Sequence, residues 1–105
     1  MEGVDTVILE DNREEDLIVE EEATINATIT GKVTVTNNAV VQLYGIVTKD
    51  LEIVAGSKAY VFGCVNGNII NSGDLEVYGE VGGEVIDHTG NAFISRKATI
   101  GTNAK

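Results

Sequence analysis

Between residues 23 and 35 apolar and small polar side chains alternate: Ala23, Ile25, Ala27, Ile29, Val33 and Val35 are interleaved with Thr24, Asn26, Thr28, Thr30 and Thr34. A period of two puts one set of side chains on each face of an extended strand, so this stretch predicts half-buried strands and not a helix. A longer period overlies it. Every sixth residue from Ala23 is apolar, through Ile29, Val35, Val41, Val47, Ile53, Ala59 and Val65, and residues 23–35 align with 41–53 at an offset of 18. Further along, one phrase recurs three times: Leu43-Tyr44-Gly45-Ile46-Val47, Val61-Phe62-Gly63-Cys64-Val65 and Val77-Tyr78-Gly79-Glu80-Val81, with glycines 18 and then 16 residues apart. A unit of that length cannot bury its own apolar face, so its repetition implies units stacked on one another. The pattern predicts an all-β, single-domain parallel β-helix (β-solenoid) of about five short coils, 16–18 residues per coil and triangular in cross-section. Successive coils should lie about 4.8 Å apart.

Turn signals separate the strands at Asn37-Asn38, Ala55-Gly56-Ser57, Asn71-Ser72-Gly73 and Asp87-His88-Thr89-Gly90-Asn91. In a stacked fold every coil turns at the same corner, and glycine allows a close approach there that other residues do not. Gly45, Gly63 and Gly79 are expected to form one corner column, and Gly67 and Gly83 to mark a second. With Leu43, Val61 and Val77 pointing inward, alternation sends Tyr44, Phe62 and Tyr78 outward as an aromatic ladder, next to a column of Thr28, Ile46, Cys64 and Glu80. Tyr44, Phe62, Tyr78, Ile46 and Cys64 are thus the candidate interaction face, since contiguous exposed apolar groups mark interaction surfaces. A stack of rings would also stabilise the coil simply by covering the glycine corner.

Three regions are expected: an acidic N-terminal cap over residues 1–22, repeats over 23–101, and a polar, fraying tail over 102–105. In the cap, Val7-Ile8-Leu9 and Leu17-Ile18-Val19 read as short strands around a turn at Glu10-Asp11-Asn12-Arg13. Glu2, Asp5, Glu10, Asp11, Glu14, Glu15, Asp16, Glu20, Glu21 and Glu22 are more than half of the 17 acids in the chain. Carboxylates clustered on a terminal rung oppose end-to-end addition, or present an acidic docking face. The last unit, residues 92–101, is expected to close the stack with Arg96 in place of the corner glycine.

Composition agrees with this picture and narrows the partners. The chain has 105 residues, 43% hydrophobic, with 12 glycines and no proline, which suits one strand-rich domain with little helix. The start lacks the pattern of a signal peptide and no apolar stretch has the length of a membrane span, so a cytoplasmic protein is expected. A lone Cys64 forms no intramolecular disulfide. With seven Lys and Arg against a net charge of −10, nucleic acid is not an expected partner; a basic protein, or a second copy of the chain, is.

No catalytic, metal or cofactor site is expected. His88 stands alone in a turn, and Cys64 has no histidine partner. Asp50, Asn68 and Glu84 share a column, but Asp74, Glu76, Glu80 and Glu84 are expected on different faces. Asn66, Gly67, Asn68 and Asn71 read as corner chemistry, where asparagine accepts left-handed backbone and can ladder its amides. The regular threonines of the first repeat stop after the second coil, against an ice-binding array.

Over residues 23–101, in Tyr44-Gly45-Ile46-Val47, Val61-Phe62-Gly63-Cys64-Val65-Asn66-Gly67-Asn68-Ile69 and Val77-Tyr78-Gly79-Glu80-Val81-Gly82-Gly83-Glu84-Val85, the chain resembles the bactofilin family of polymer-forming proteins. The resemblance implies a right-handed helix, bacterial origin, nucleotide-independent assembly through coil ends, and a scaffolding role. Its acidic N-terminal end sets this chain apart from that family. The period of six is also similar to that of hexapeptide-repeat acyltransferases, which need a catalytic histidine and insertions at a trimer interface; only His88 could serve, so an enzyme is not expected. The remaining alternative is an acidic immunity protein that neutralises a basic bacterial toxin, for which charge complementarity would speed encounter.

Overall fold

The computed structural model describes residues 7–36, 38–89 and 91–101, and of Val7 the backbone alone. The six residues at the start of the expected cap and the expected tail over 102–105 lie outside the described residues. The strands are β1 Val7–Leu9, β2 Leu17–Val19, β3 Ala23–Ile25, β4 Thr28–Ile29, β5 Val33–Val35, β6 Val40–Leu43, β7 Ile46–Val47 and β8 Leu51–Ile53. They continue as β9 Lys58–Val61, β10 Cys64–Val65, β11 Ile69–Asn71, β12 Asp74–Val77, β13 Glu80–Val81, β14 Val85–Asp87, β15 Ala92–Ile94 and β16 Thr99–Ile100.

Every third strand joins the same sheet. The first sheet runs β1-β3-β6-β9-β12-β15, the second β4-β7-β10-β13-β16 and the third β2-β5-β8-β11-β14, all parallel. In the first sheet Val7, Ala23, Val41, Ala59, Leu75 and Ala92 lie in register, so successive turns take 16, 18, 18, 16 and 17 residues. The fold is the expected β-solenoid of about five turns, with three flat sides.

Alternation along each strand sends one set of side chains into the space between the sheets. Ile25, Leu43, Val61 and Val77 from the first side, Ile29, Val47, Val65 and Val81 from the second, and Val33, Val35, Leu51, Ile53 and Ile69 from the third are almost wholly buried in one core. Sides of two to four residues leave an interior only wide enough for Ala, Val, Leu and Ile. All five aromatic residues of the chain lie outside the core.

Three features depart from the sequence reading. Residues 7–22 are not a hairpin-like cap, because β1 and β2 belong to different sheets and Arg13 bridges Ile29 in the second. They form a full first turn in which Arg13 takes a position occupied by Ile29 and Val47 in the turns below, which hid the repeat. Second, Arg96 is not at the glycine corner. Thr99 pairs with Glu80, which puts Ala98 in the glycine column, and the two extra residues form a turn closed by Ala98 N–H donating to the Ser95 carbonyl at 3.0 Å. Third, the core column Val35, Ile53 continues into Asn71 and then Asp87. Asn71 is fully buried; its amide donates to Asp87 Oδ1 (3.0 Å) and its Oδ1 accepts from Gly73 N–H (3.1 Å). This corner of the core therefore ends in a satisfied polar plug.

The corner glycines serve close approach. At Gly63 an added Cβ would collide with the Gly45 carbonyl oxygen and lie 2.6 Å from the Tyr44 carbonyl oxygen, and Gly45 and Gly79 meet the preceding turn in the same way. Those carbonyls are committed: the Leu43 oxygen accepts from both Phe62 and Gly63, and the Gly45 oxygen accepts from Cys64 at 3.0 Å. The neighbour is hydrogen-bonded backbone and cannot yield. At the second corner a Cβ on Gly67 would lie 2.7 Å from the Lys49 carbonyl oxygen, and one on Gly83 2.8 Å from that of Gly67. Asn68 there keeps an ordinary backbone, and left-handed geometry is found at Asn38 (φ 60°) and Gly56 (φ 88°).

Replacing Gly63 by alanine should destabilise the protein by about 1–3 kcal/mol in denaturant unfolding, through overpacking against backbone. Ala27→Gly, at the head of the same column, should lose less than about 1 kcal/mol. Asn71→Leu should lose about 1–3 kcal/mol, because it strands the Gly73 N–H and the groups that faced the amide.

Candidate interaction surface

The corner between the first and second sides carries the chain's aromatic residues, and the pairing register decides how they meet. Residues that follow the inward column Leu43, Val61, Val77 leave the core and turn out over the glycine corner. Tyr44, Phe62 and Tyr78 thus form the expected ladder and are 51%, 40% and 37% exposed. Ring centroids are 4.9 Å apart for Tyr44–Phe62 and 5.3 Å for Phe62–Tyr78, with planes within 13° and 9° of parallel. Stacked rings one turn apart consume each other's faces, so the ladder offers mainly ring edges and the outer face of Tyr44. The adjacent outward column runs Thr28, Ile46, Cys64, Glu80, Thr99, as expected for Ile46 and Cys64.

Two further rings belong to this surface and escaped the sequence reading. Tyr60 lies 6.2 Å from Phe62, and Phe93 lies 5.8 Å from Tyr78 but tilted by 51°. Both sit on the outward face of the first side, in the column Gln42, Tyr60, Glu76, Phe93. Alternation could have found Tyr60, two residues before Phe62; Phe93 needed the one-residue change in turn length before β15.

The polar groups among the rings are tied together. The Tyr78 hydroxyl donates to Glu76 Oε1, the Glu76 carboxylate pairs with Lys58 at 3.4 Å, and the Lys58 ammonium lies 4.7 Å from the centre of the Tyr60 ring. The hydrogen bond from Tyr78, with help from Lys58, lowers the pKa of Glu76, and the same bond raises that of Tyr78. Tyr60 first, then Glu76, raise that of Lys58. Asp74 and Glu76 both face outward on β12, contrary to the expectation that alternation separates them, because they are two residues apart on one strand. The Cys64 thiol donates to Asn66 Oδ1 at 3.2 Å; burial first and then Glu80 push its pKa up, which disfavours the thiolate.

The two ends of the solenoid differ in charge. At the N-terminal end Glu10, Asp11, Glu14, Glu15, Asp16, Glu20 and Glu21 are exposed and Glu22 is half-buried. They surround an open hollow of about 450 Å³ lined by Leu9, Arg13, Leu17, Ile18, Val19, Glu20, Glu21 and Ala23. Asp16 also has a local task, since its Oδ1 accepts from Lys32 N–H, as Asp50 accepts from Asn68 and Asn68 from Glu84 in the turns below. At the C-terminal end Ile94 stands in the core column of Leu43, Val61 and Val77 yet is 40% exposed, since no further turn covers it among the described residues. Arg96 and Lys97 are exposed in the turn beside it.

Among the described residues no group of three or more His, Cys, Asp or Glu could hold a metal ion, and no helix is long and apolar enough to cross a membrane. His88 is exposed in the turn after β14, away from Cys64 by register.

Glu76→Gln should lower the pKa of Tyr78 toward the ordinary phenol range, read from its ring resonances over an alkaline titration. In the native protein the depressed Glu76 contributes stability that is complete above the ordinary carboxylate range and is lost as pH falls through its lowered value. Tyr78, raised, contributes below the ordinary phenol range and loses its contribution as pH rises through its higher value. No known family, no curated protein and no solved structure matches the chain.

Proposed function

We propose that this chain is a non-catalytic scaffold protein of the cytoplasm that acts by associating with copies of itself through the ends of the solenoid, as the resemblance to bactofilins implies. The observation that carries this reading is the state of those ends: each of the three sheets stops, among the described residues, at a strand with one unpaired edge, above core positions such as Ile94 that lack a covering turn. An open parallel edge over an apolar floor is a template for another strand. Heterologous end-to-end contacts that do not close into a ring propagate as filaments. Charge orders the contact. Two acidic N-terminal ends repel, whereas an N-terminal end meets Arg96 and Lys97 at the opposite end of a second copy. The flat sides, free of strand edges, remain available for partners. A second reading, an acidic inhibitor of a basic protein in the manner of an immunity protein, is favoured by the exposed carboxylates of the first turn, which would steer a cationic partner.

Light scattering of the purified chain across protein and salt concentrations separates the two. Stacking predicts assemblies whose mass rises with protein concentration and whose size falls on Ile94→Arg, which puts a charge on the uncovered core position. Neutralising Glu14, Glu15, Glu20 and Glu21 to glutamine should change the salt dependence of assembly. A fixed small species at every salt concentration, with the acids intact or neutralised, would rule out stacking and leave the inhibitor reading.

A further inference from the structure

On the outward face of the first side one cation is already held between a ring and a carboxylate: Lys58 sits 4.7 Å from the centre of Tyr60 and 3.4 Å from Glu76. The register repeats the ingredients one step along. Asp74 pairs with Lys58 and Glu76 with Tyr60, and Phe93 follows Glu76 in the next turn, so Asp74 and Phe93 stand diagonally across the strands as a second carboxylate and ring. Here the cation is missing. Lys58, the register neighbour of Asp74, is committed to Tyr60 and Glu76, and among the described residues no cation pairs with Asp74. An open hollow of about 430 Å³ lies at this place, lined by Asp74, Glu76, Asn91 and Phe93, with Lys58 at one side. Phe93 is 54% exposed and tilted out of the ring stack.

We infer that this hollow is a binding site for an arginine side chain of a protein partner. A guanidinium is planar; it can lie on the Phe93 ring while its fork of N–H groups donates to the Asp74 carboxylate and the Asn91 amide oxygen. An ammonium could meet the carboxylate but would not match the planar ring and amide together. The net charge of −10 draws a basic partner to the surface. Beside the hollow, Phe62 and Tyr44 extend an apolar strip along the corner that would take the uncharged residues next to the arginine. The site lies on a side of the solenoid and acts whether or not the ends stack.

The test uses the full chain and an acetylated, amidated peptide of alternating valine and arginine, followed by amide chemical-shift mapping in a dilution range where light scattering shows one species. The peptide should perturb residues 74 and 91–93, and replacing its arginines by neutral citrulline should abolish the shifts. Asp74→Asn and Phe93→Leu should each weaken binding by about three- to tenfold. Neutralising Glu14, Glu15, Glu20 and Glu21 should leave the mapped residues unchanged. Thermal unfolding of the variants separates loss of the site from loss of the fold, and Asp74→Asn alters only an exposed group. Shifts that map to residues 10–22, citrulline binding as well as arginine, or an affinity unmoved by Asp74→Asn in a folded protein would each overturn the assignment.

Discussion

The structure depends on one spacing, the separation of about 4.8 Å at which parallel strands exchange backbone hydrogen bonds. Each turn must approach the one before it that closely along the whole circuit, corners included. Along the flat sides this is ordinary sheet geometry. At the corner after the first side the Leu43 carbonyl accepts from two successive amides, those of Phe62 and Gly63, and there is no room for a side chain between them. A column of glycines is what remains. The same spacing sets the rings of the corner 4.9 and 5.3 Å apart, a comfortable distance for offset stacking, so the aromatic ladder follows from the backbone ladder.

A chain built this way has two kinds of surface with different physics. The ends present unpaired backbone and incompletely covered core, and they are where the protein changes composition. The N-terminal turn introduces Arg13 into a core column and surrounds it with carboxylates, while the third side runs out of apolar residues at Asn71 and Asp87. The sides present no strand edges, and what they offer depends on outward columns. These columns can vary without disturbing the core, because alternate residues of a strand do not share a face. Self-association belongs to the ends and recognition of other molecules to the sides, and one chain can do both.

Electrostatics divides along the same line. The acids of the first turn sit together without matching cations, so their effect on a neighbouring copy or a basic partner is long-ranged and falls with salt. On the first side, by contrast, Lys58, Glu76 and Tyr78 are joined by short contacts, and their mutual pKa shifts express those contacts. Asp74 and Phe93 lie next to that closed set as open members of the same chemistry.

The architecture was legible in the sequence because the interior is periodic. Val41, Val47, Ile53, Ala59 and Val65 recur at six residues since three short sides make one turn, and Gly45, Gly63 and Gly79 recur because every turn passes the same tight corner. Tyr44, Phe62 and Tyr78 could be placed outward by counting alternate residues. The period failed to mark the places where a column changes chemistry or a turn changes length. Arg13 stands in an apolar column, Asn71 is a buried amide that needs Asp87 to satisfy it, and the two extra residues before Ala98 shift the corner away from Arg96. Only the tertiary structure decided which side chains from different turns touch, because that depends on register summed over turns of 16, 17 and 18 residues. The sequence by itself determined that the chain coils, how long each turn is and which residues are inside; the pairing of turns decided that Tyr60 and Phe93 join the aromatic surface and that Asp74 faces the hollow beside it.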